Sequence, residues 1–135
     1  MSEDSKAVVR ALYDEVLNPR NLDDFDARIA DPKLAERIRQ GCLVLYGAFP
    51  DLHSSIDDMV VEGDKVALRA TSTGTHDGEW MGVPATGRHI VFEYAEIYRI
   101  ADGKIADYWC LPDMGGLMRQ LTQDAPVRAA SGGAS

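Results

Sequence analysis

The chain has 135 residues, the length of one domain, and its 45% hydrophobic content is enough for a buried core. Its net charge of −8, from 22 acidic and 14 basic residues, argues against nucleic-acid binding, which needs a basic surface. No apolar run reaches the ~18 residues of a membrane span, and the acidic start does not resemble a signal peptide. We therefore expect a cytoplasmic protein that binds neither membrane nor nucleic acid.

The two cysteines, Cys42 and Cys110, stand at unrelated spacing. This count predicts neither a disulfide framework nor a cysteine metal pair. The three histidines do not show the i, i+4 spacing of helical zinc ligands. The sequence also lacks the glycine-rich motifs that bind dinucleotides or phosphates. We expect no metal and no cofactor.

The first third of the chain has the apolar spacing of amphipathic helices. Apolar residues recur at helical intervals from Ser5 to Leu17, and Asn18-Pro19 ends the run. A short helical piece follows over residues 22–29. Asp31-Pro32 then begins a second helix that reaches Ala48, although Gly41 weakens its middle.

From residue 53 onward the pattern alternates with period two, which predicts strands joined by tight turns. The predicted elements are strands around Ile56–Val61, Val66–Thr75, Arg88–Ile100 and Lys104–Asp113, a glycine-rich loop over residues 76–87, and a closing helix over Met114–Leu121. Helices followed by an antiparallel sheet indicate an α+β fold: a curved sheet wrapped around N-terminal helices, enclosing one apolar pocket. We expect one domain over residues 1–121 and a disordered tail over residues 122–135.

One strand has a conflict in its alternation. Ile90 and Phe92 share one face of the predicted third strand, whereas Ala95 and Ile97 have the opposite parity. A β-bulge near Glu93-Tyr94 would reconcile the two and would re-aim Tyr94 or Glu96.

An ordered set of short motifs resembles the SnoaL-like polyketide cyclase family of the nuclear-transport-factor-like superfamily. The motifs are Ala48–His53, Glu62–Ala67, Gly74–His76, Gly82–Arg88, Tyr98–Ile105, Trp109, Asp113 and Gly116–Leu121. The resemblance implies a cone-shaped α+β barrel that forms a homodimer through the outer sheet face. It also implies cofactor-free aldol cyclisation of a small molecule in aromatic polyketide biosynthesis.

Aldol ring closure needs a carboxylate in an apolar cavity, where burial raises its pKa towards the working pH. Alternation in the last strand puts two acids, Asp107 and Asp113, on one face with Ile105, Trp109 and Leu111. We predict Asp113 as the acid/base, which matches the acid of the family's Trp-x-x-x-Asp stretch. Its alternative role is the N-cap of the closing helix. Asp107 is the second catalytic candidate, with a solvent-facing acid as the alternative.

Histidines and aromatic residues supply the remaining candidates. His76, at a strand end near the expected mouth of the pocket, is the third catalytic candidate. His53 is a candidate for substrate binding, whereas His89 has less support. Five aromatic residues form the predicted lining on which planar substrates would stack, with ordinary core packing as the alternative for each: Tyr13, Trp80, Phe92, Tyr94 and Trp109.

The sequence therefore predicts a cofactor-free cyclase, or a related lyase or isomerase, that acts on a carbonyl-rich small molecule. An epoxide hydrolase of the limonene type is one alternative, with Asp113, Asp107 and either Arg69 or Arg99 around one water. A binding or dimerisation module without catalysis is the other.

Overall fold

The computed structural model describes residues 2–123, which form three N-terminal helical regions, a four-stranded sheet and a closing helix. The elements are α1 (Ser2–Ala11) with a π-helical continuation (Leu12–Leu17), a 3₁₀ turn (Leu22–Asp24), α2 (Phe25–Arg28), α3 (Pro32–Ala48), β1 (His53–Glu62), β2 (Lys65–Thr75), β3 (His89–Ala101), β4 (Lys104–Pro112) and α4 (Met114–Thr122). The predicted α+β class is confirmed. Most of the predicted tail, residues 124–135, lies outside the described residues.

The sheet is antiparallel and follows the chain order β1-β2-β3-β4. Asp102 and Gly103, both with positive φ, make the tight turn between β3 and β4 that hairpins favour. Within residues 2–123 the curved sheet stays open. The outer edge of β4 meets the end of α2 instead, where the Ala30 N–H donates to the Ile105 carbonyl at 2.9 Å. Helices therefore complete the enclosure that strands would complete in a closed barrel.

Two register shifts aim the side chains of the edge strands. Asp57 is the extra residue in β1, between the pairs Ile56–Ala70 and Asp58–Arg69. Ala106 is the extra residue in β4, between the pairs of Ile105 and Asp107 with β3. Each extra residue reverses which face the following side chains occupy.

The predicted bulge at Glu93-Tyr94 is wrong. β3 pairs with β2 in unbroken register through these residues, with Glu93 opposite Thr71 and Tyr94 opposite Ala70. The even-numbered residues of β3 from Ile90 to Ile100 all face the core side, so Ala95 and Ile97 lie on the outer face. Apolar residues on both faces of the strand produced the false change of phase.

The core has two parts, one at each end of the sheet. The first packs the α1 region and α2 against the strands; its fully buried large side chains include Val9, Val16, Phe25, Val66 and Ile105. The second lies under α4 and the loop after β2; its most buried members are Phe49, Ile90 and Leu117. A cavity lined by residues of both parts separates them.

We predict opposite effects for alanine at two glycines. Gly41 lies exposed in α3 with no atom near the position of a β-carbon, so Gly41→Ala should raise the free energy of unfolding by about 0.5–1 kcal/mol through helix propensity. At Gly78 a β-carbon would overlap the Gly47 carbonyl oxygen, so Gly78→Ala should lower the free energy of unfolding. Urea unfolding of both variants checks this; equal effects would contradict the packing described for the loop after β2.

Candidate active site

A cavity of about 110 Å³ lies between the helices and the concave face of the sheet. The helical side contributes mainly aliphatic residues, and the sheet contributes polar and aromatic ones. The residues that line it are Leu12, Leu17, Phe25, Ile38, Cys42, Leu45, Tyr46, Leu52, Ser54, Ser72, Phe92, Tyr94, Glu96, Tyr98, Tyr108 and Cys110. Among these described lining residues, Glu96 is the one carboxylate, and there is no lysine, arginine or histidine.

Glu96 is the polar centre of this cavity. Its side chain is 6% exposed, and three tyrosine hydroxyls donate hydrogen bonds to its carboxylate. Tyr13 and Tyr98 donate to Oε1 at 2.6 and 2.8 Å, and Tyr108 donates to Oε2 at 2.9 Å. A fourth hydroxyl, that of Tyr94, lies 3.0 Å from the Tyr13 hydroxyl. Hydrogen bonds to an ionised group are among the strongest in proteins, so this cluster fixes the carboxylate in place.

Burial and hydrogen bonding act on Glu96 in opposite directions. Burial raises the pKa of Glu96 because the charged form loses its hydration, while the hydrogen bonds from the three tyrosines work to lower it. Burial is the larger effect, so the pKa lies above the ordinary glutamate value. Burial also raises the pKa of Tyr13, Tyr98 and Tyr108, and the nearby Glu96 raises it further. These tyrosines therefore stay protonated and remain donors.

Local structure brings the four groups together. Glu96 and Tyr98 are even-numbered residues of β3 and so face the cavity. Tyr108 stands opposite Tyr98 in the β3–β4 register, with the two ring centroids 5.2 Å apart. Tyr13 comes from the π-helical continuation of α1, a wide turn that occurs often at functional sites.

The two cavity thiols are not poised as nucleophiles. Burial raises the pKa of both Cys42 and Cys110 to about 11. Near neutral pH both are therefore neutral thiols, whereas the reactive form of cysteine is the thiolate. Within residues 2–123, no group of three or more His, Cys, Asp or Glu side chains is placed to hold a metal ion.

The prediction that Asp107 and Trp109 face the pocket is wrong. Both are exposed, Trp109 by 51%, and Leu111 beside them is also exposed. The cause is the extra residue Ala106: Ile105 is buried, but after Ala106 the inward positions pass to Tyr108 and Cys110. Alternation alone could not reveal this reversal.

Asp113 also points away from the cavity. Its side chain is exposed and accepts a hydrogen bond from the Gly116 N–H at 2.9 Å, which caps the N-terminus of α4. A β-carbon at Gly116 would overlap this carboxylate and would have to displace it from the cap. Of the two predicted roles, the structure shows the helix cap.

The histidines lie outside the cavity lining. His76 is fully buried in the loop after β2, where its Nδ1 contacts the Thr86 hydroxyl at 2.9 Å and its ring packs against Phe49. His53 and His89 are exposed. The two arginines that an epoxide hydrolase site would use, Arg69 and Arg99, are exposed on the outer face.

Of the five predicted aromatic lining residues, some reach the cavity and others do not. Phe92 and Tyr94 line the cavity, and Tyr13 reaches it through its hydroxyl. Trp80 is buried against Phe49, with ring centroids 5.7 Å apart, in the second part of the core. Contact of any of these residues with a substrate stays a prediction.

Sequence reasoning missed Glu96, Tyr98 and Tyr108 as members of one site. A signal was present: Glu96 is the single acid in the series Ile90, Phe92, Tyr94, Glu96, Tyr98, Ile100. An acid at an inward position of an otherwise apolar and aromatic strand face is the pattern of a buried functional carboxylate.

The fold and cavity define a member of a known family. The family model for the SnoaL-like polyketide cyclase matches residues 7–121, and the chain belongs to this family. The solved structure of a family member from Jannaschia sp. CCS1 superposes with a TM-score of 0.81 at 23% identity, covering 91% of this chain and 94% of that one. IdmH from Streptomyces antibioticus superposes with a TM-score of 0.74 at 27% identity, covering 87% and 97%.

Characterised relatives match over shorter segments. The aklanonic acid methyl ester cyclase DnrD of Streptomyces peucetius is 41% identical over 82 residues, 61% of this chain and 57% of that enzyme. The nogalonic acid methyl ester cyclase of Streptomyces nogalater is 42% identical over 53 residues, 39% of this chain and 40% of that enzyme. The matched segments thus span about half the length of these curated relatives.

We predict that Glu96 makes stability fall as pH rises. Because the pKa of Glu96 is raised above the ordinary 4.5, the folded state keeps this proton where the unfolded chain has lost it. The resulting stabilisation is complete below pH 4.5 and disappears as pH rises through the raised pKa. Urea unfolding across this window should show that Glu96→Gln gains stability relative to wild type as pH increases. Parallel curves for the two proteins would contradict a raised pKa.

Proposed function

We propose that this protein is a cofactor-independent polyketide cyclase that closes a ring by aldol chemistry, with Glu96 as the acid/base. The observation that carries the proposal is a carboxylate buried in an apolar cavity and held by three tyrosine hydroxyls. Membership in the SnoaL-like polyketide cyclase family supports it, as do relatives that cyclise methyl esters. The sequence analysis also expected a buried carboxylate as the acid/base. We now assign this role to Glu96 instead of Asp113.

The hydrogen bonds leave Glu96 one free acceptor site for chemistry. A carboxylate has about four lone-pair positions, and the tyrosines occupy two on Oε1 and one on Oε2. The remaining position on Oε2 is where a substrate C–H between two carbonyls would deliver its proton. The same oxygen then returns the proton to the alkoxide formed by ring closure. One group with a pKa near the working pH can perform both transfers.

The charge of the cavity favours a neutral substrate. Among the described lining residues no cation is present to pair with a carboxylate, and Glu96 would repel one. A methyl ester removes that charge while keeping the carbonyl that acidifies the neighbouring carbon. The two relatives described above are named for methyl esters of this kind.

A polycyclic substrate needs more space than the cavity provides. Pockets for such molecules typically measure roughly 300–1,000 Å³, against about 110 Å³ here. The lining residues from α3, Ile38, Cys42, Leu45 and Tyr46, are half-buried, whereas most of the lining from β2 and β3, Ser72, Phe92, Glu96 and Tyr98, is buried. We therefore place the entrance on the α3 side, where outward movement of the helix would enlarge the cavity.

Comparing two carboxylate variants tests the catalytic role. Incubated with aklanonic or nogalonic acid methyl ester, Glu96→Gln should lose about 10²–10⁴-fold in kcat for ring closure, the usual contribution of a general acid/base. Asp113→Asn should retain activity, because asparagine also caps helices and the fold stays intact. Product is measured by chromatography, and the corresponding free acids should bind more weakly than the esters.

Each contrary result points to a different conclusion. Loss of activity in Asp113→Asn but not in Glu96→Gln would restore the assignment to Asp113. Diol formation from an epoxide by the wild type would favour a hydrolase, and tight ester binding without turnover would favour a binding module.

We further propose that the protein forms a homodimer through the outer face of the sheet. The register places Val60, Ala67, Ile97 and Trp109 side by side across all four strands. Three of them are large and exposed: Val60 by 61%, Trp109 by 51% and Ile97 by 39%. Contiguous apolar surface of this kind is uncommon on monomers and marks interaction sites.

A charge in this row should separate the subunits. Trp109→Lys should convert a dimer into a monomer, because it buries an unpaired charge against the apolar row of the partner subunit. Sedimentation velocity measures the change. Val44→Lys, at an equally exposed apolar residue of α3 away from the sheet, should remain dimeric. A wild-type protein that sediments as a monomer would contradict the proposed interface.

A further inference from the structure

A chain of hydroxyl groups continues from Glu96 along the wall of the cavity. The Tyr13 hydroxyl bonds to Glu96 at 2.6 Å and lies 3.0 Å from the Tyr94 hydroxyl. Ser54 and Ser72, whose own oxygens are 2.7 Å apart, line the cavity together with Tyr94 and work as hydrogen-bonding groups to lower the pKa of Tyr94. These four residues come from the π-helical segment, β3, β1 and β2, so the chain crosses from one wall of the fold to the other.

The chain ends at the protein surface. A separate cleft on the outside is lined by Arg10, Tyr13, Asp14, Asn18, His53, Ser54, Ser55 and Ile56. Ser54 therefore borders both the inner cavity and the outer cleft, and Tyr13 forms the partition between them while remaining only 2% exposed. Asn18 fixes this boundary: its side-chain amide makes two hydrogen bonds, each 2.9 Å, with the backbone of Ser54.

We propose that Tyr13, Tyr94 and the Ser54–Ser72 pair form a proton relay that connects Glu96 to solvent in the outer cleft. This inference rests on the proposed acid/base role of Glu96 and assigns proton-transfer roles to further residues at the wall of the cavity. The relay lets a carboxylate that the helices shield from bulk water reach protonation equilibrium with solvent, so that it can be ionised before substrate binds.

The donor directions define the transfer. Since Tyr13 donates to Glu96, its oxygen accepts from Tyr94. In the relay, Tyr94 accepts from one of the two serines, and that serine accepts from the other. Reprotonation of an ionised Glu96 then requires one concerted shift. Each hydroxyl passes its proton inward and receives another from behind, and a hydronium ion in the cleft becomes water. No hydroxyl carries a net charge before or after the shift, and the reverse transfer follows once the hydroxyls rotate.

The relay is testable by the rate at which Glu96 exchanges its proton. Difference infrared spectroscopy after a pH jump follows the carbonyl band of the protonated carboxyl, assigned by its disappearance in Glu96→Gln. Tyr94→Phe removes the link behind Tyr13 but keeps the Tyr13–Glu96 bond. It should slow the relaxation about tenfold or more, because exchange then depends on local opening of the fold. The endpoint of the titration should change little.

A matched variant shows whether slower proton exchange comes from loss of the relay or from a general change in cavity packing. Tyr108→Phe also removes one cavity hydroxyl, but from the side of Glu96 away from the relay. It should raise the pKa of Glu96 without slowing the exchange. A double Ser54→Ala, Ser72→Ala variant should reproduce the slow exchange of Tyr94→Phe. Wild-type relaxation in Tyr94→Phe, or equal slowing in Tyr108→Phe, would overturn the relay.

The outcome is independent of turnover. The infrared measurement uses the protein without substrate, so the relay can hold even if no polyketide is cyclised. Conversely, ring closure that depends on Glu96 but has wild-type exchange in Tyr94→Phe would leave the proposed function standing and remove the relay.

Discussion

The organisation of this molecule depends on the burial of one carboxylate among tyrosine hydroxyls. An uncompensated buried charge costs several kilocalories per mole, so Glu96 can occupy the cavity only with partners that satisfy its oxygens. Three tyrosines from the π-helical segment, β3 and β4 supply them. The site therefore ties the N-terminal helical region to the sheet, and its chemistry cannot be separated from the packing of the fold.

The partners are hydroxyls rather than cations, and this difference determines what the site can do. An arginine or lysine beside Glu96 would stabilise the charged form and push its pKa down. Neutral donors oppose the effect of burial only in part, so the pKa of Glu96 remains raised. The carboxyl can thus hold or release a proton without any second charge in the cavity. Among the described lining residues, no cation is present that could pair with an anion.

The sequence predicted the fold well because its signals were local. The Asp31-Pro32 helix start, the Ala101–Gly103 turn and the alternation in β2 each determine an element without reference to the rest of the chain. The face of each strand was harder to predict. In β4 the extra residue Ala106 reverses the alternation, so Asp107 and Trp109 were assigned to the wrong side. A bulge depends on pairing with β3, which the residues of β4 alone do not encode.

In β3 the sequence predicted a bulge where the structure has none, and the cause is related. Ala95 and Ile97 look like core residues, yet they lie on the outer face, where Ile97 belongs to the apolar row that ends at Trp109. When a strand is apolar on both faces, hydrophobicity no longer distinguishes inside from outside. Under those conditions the charged residue is the better guide. A single acid among apolar and aromatic residues on one strand face indicates a functional carboxylate, because it is costly to bury, and Glu96 is such a residue.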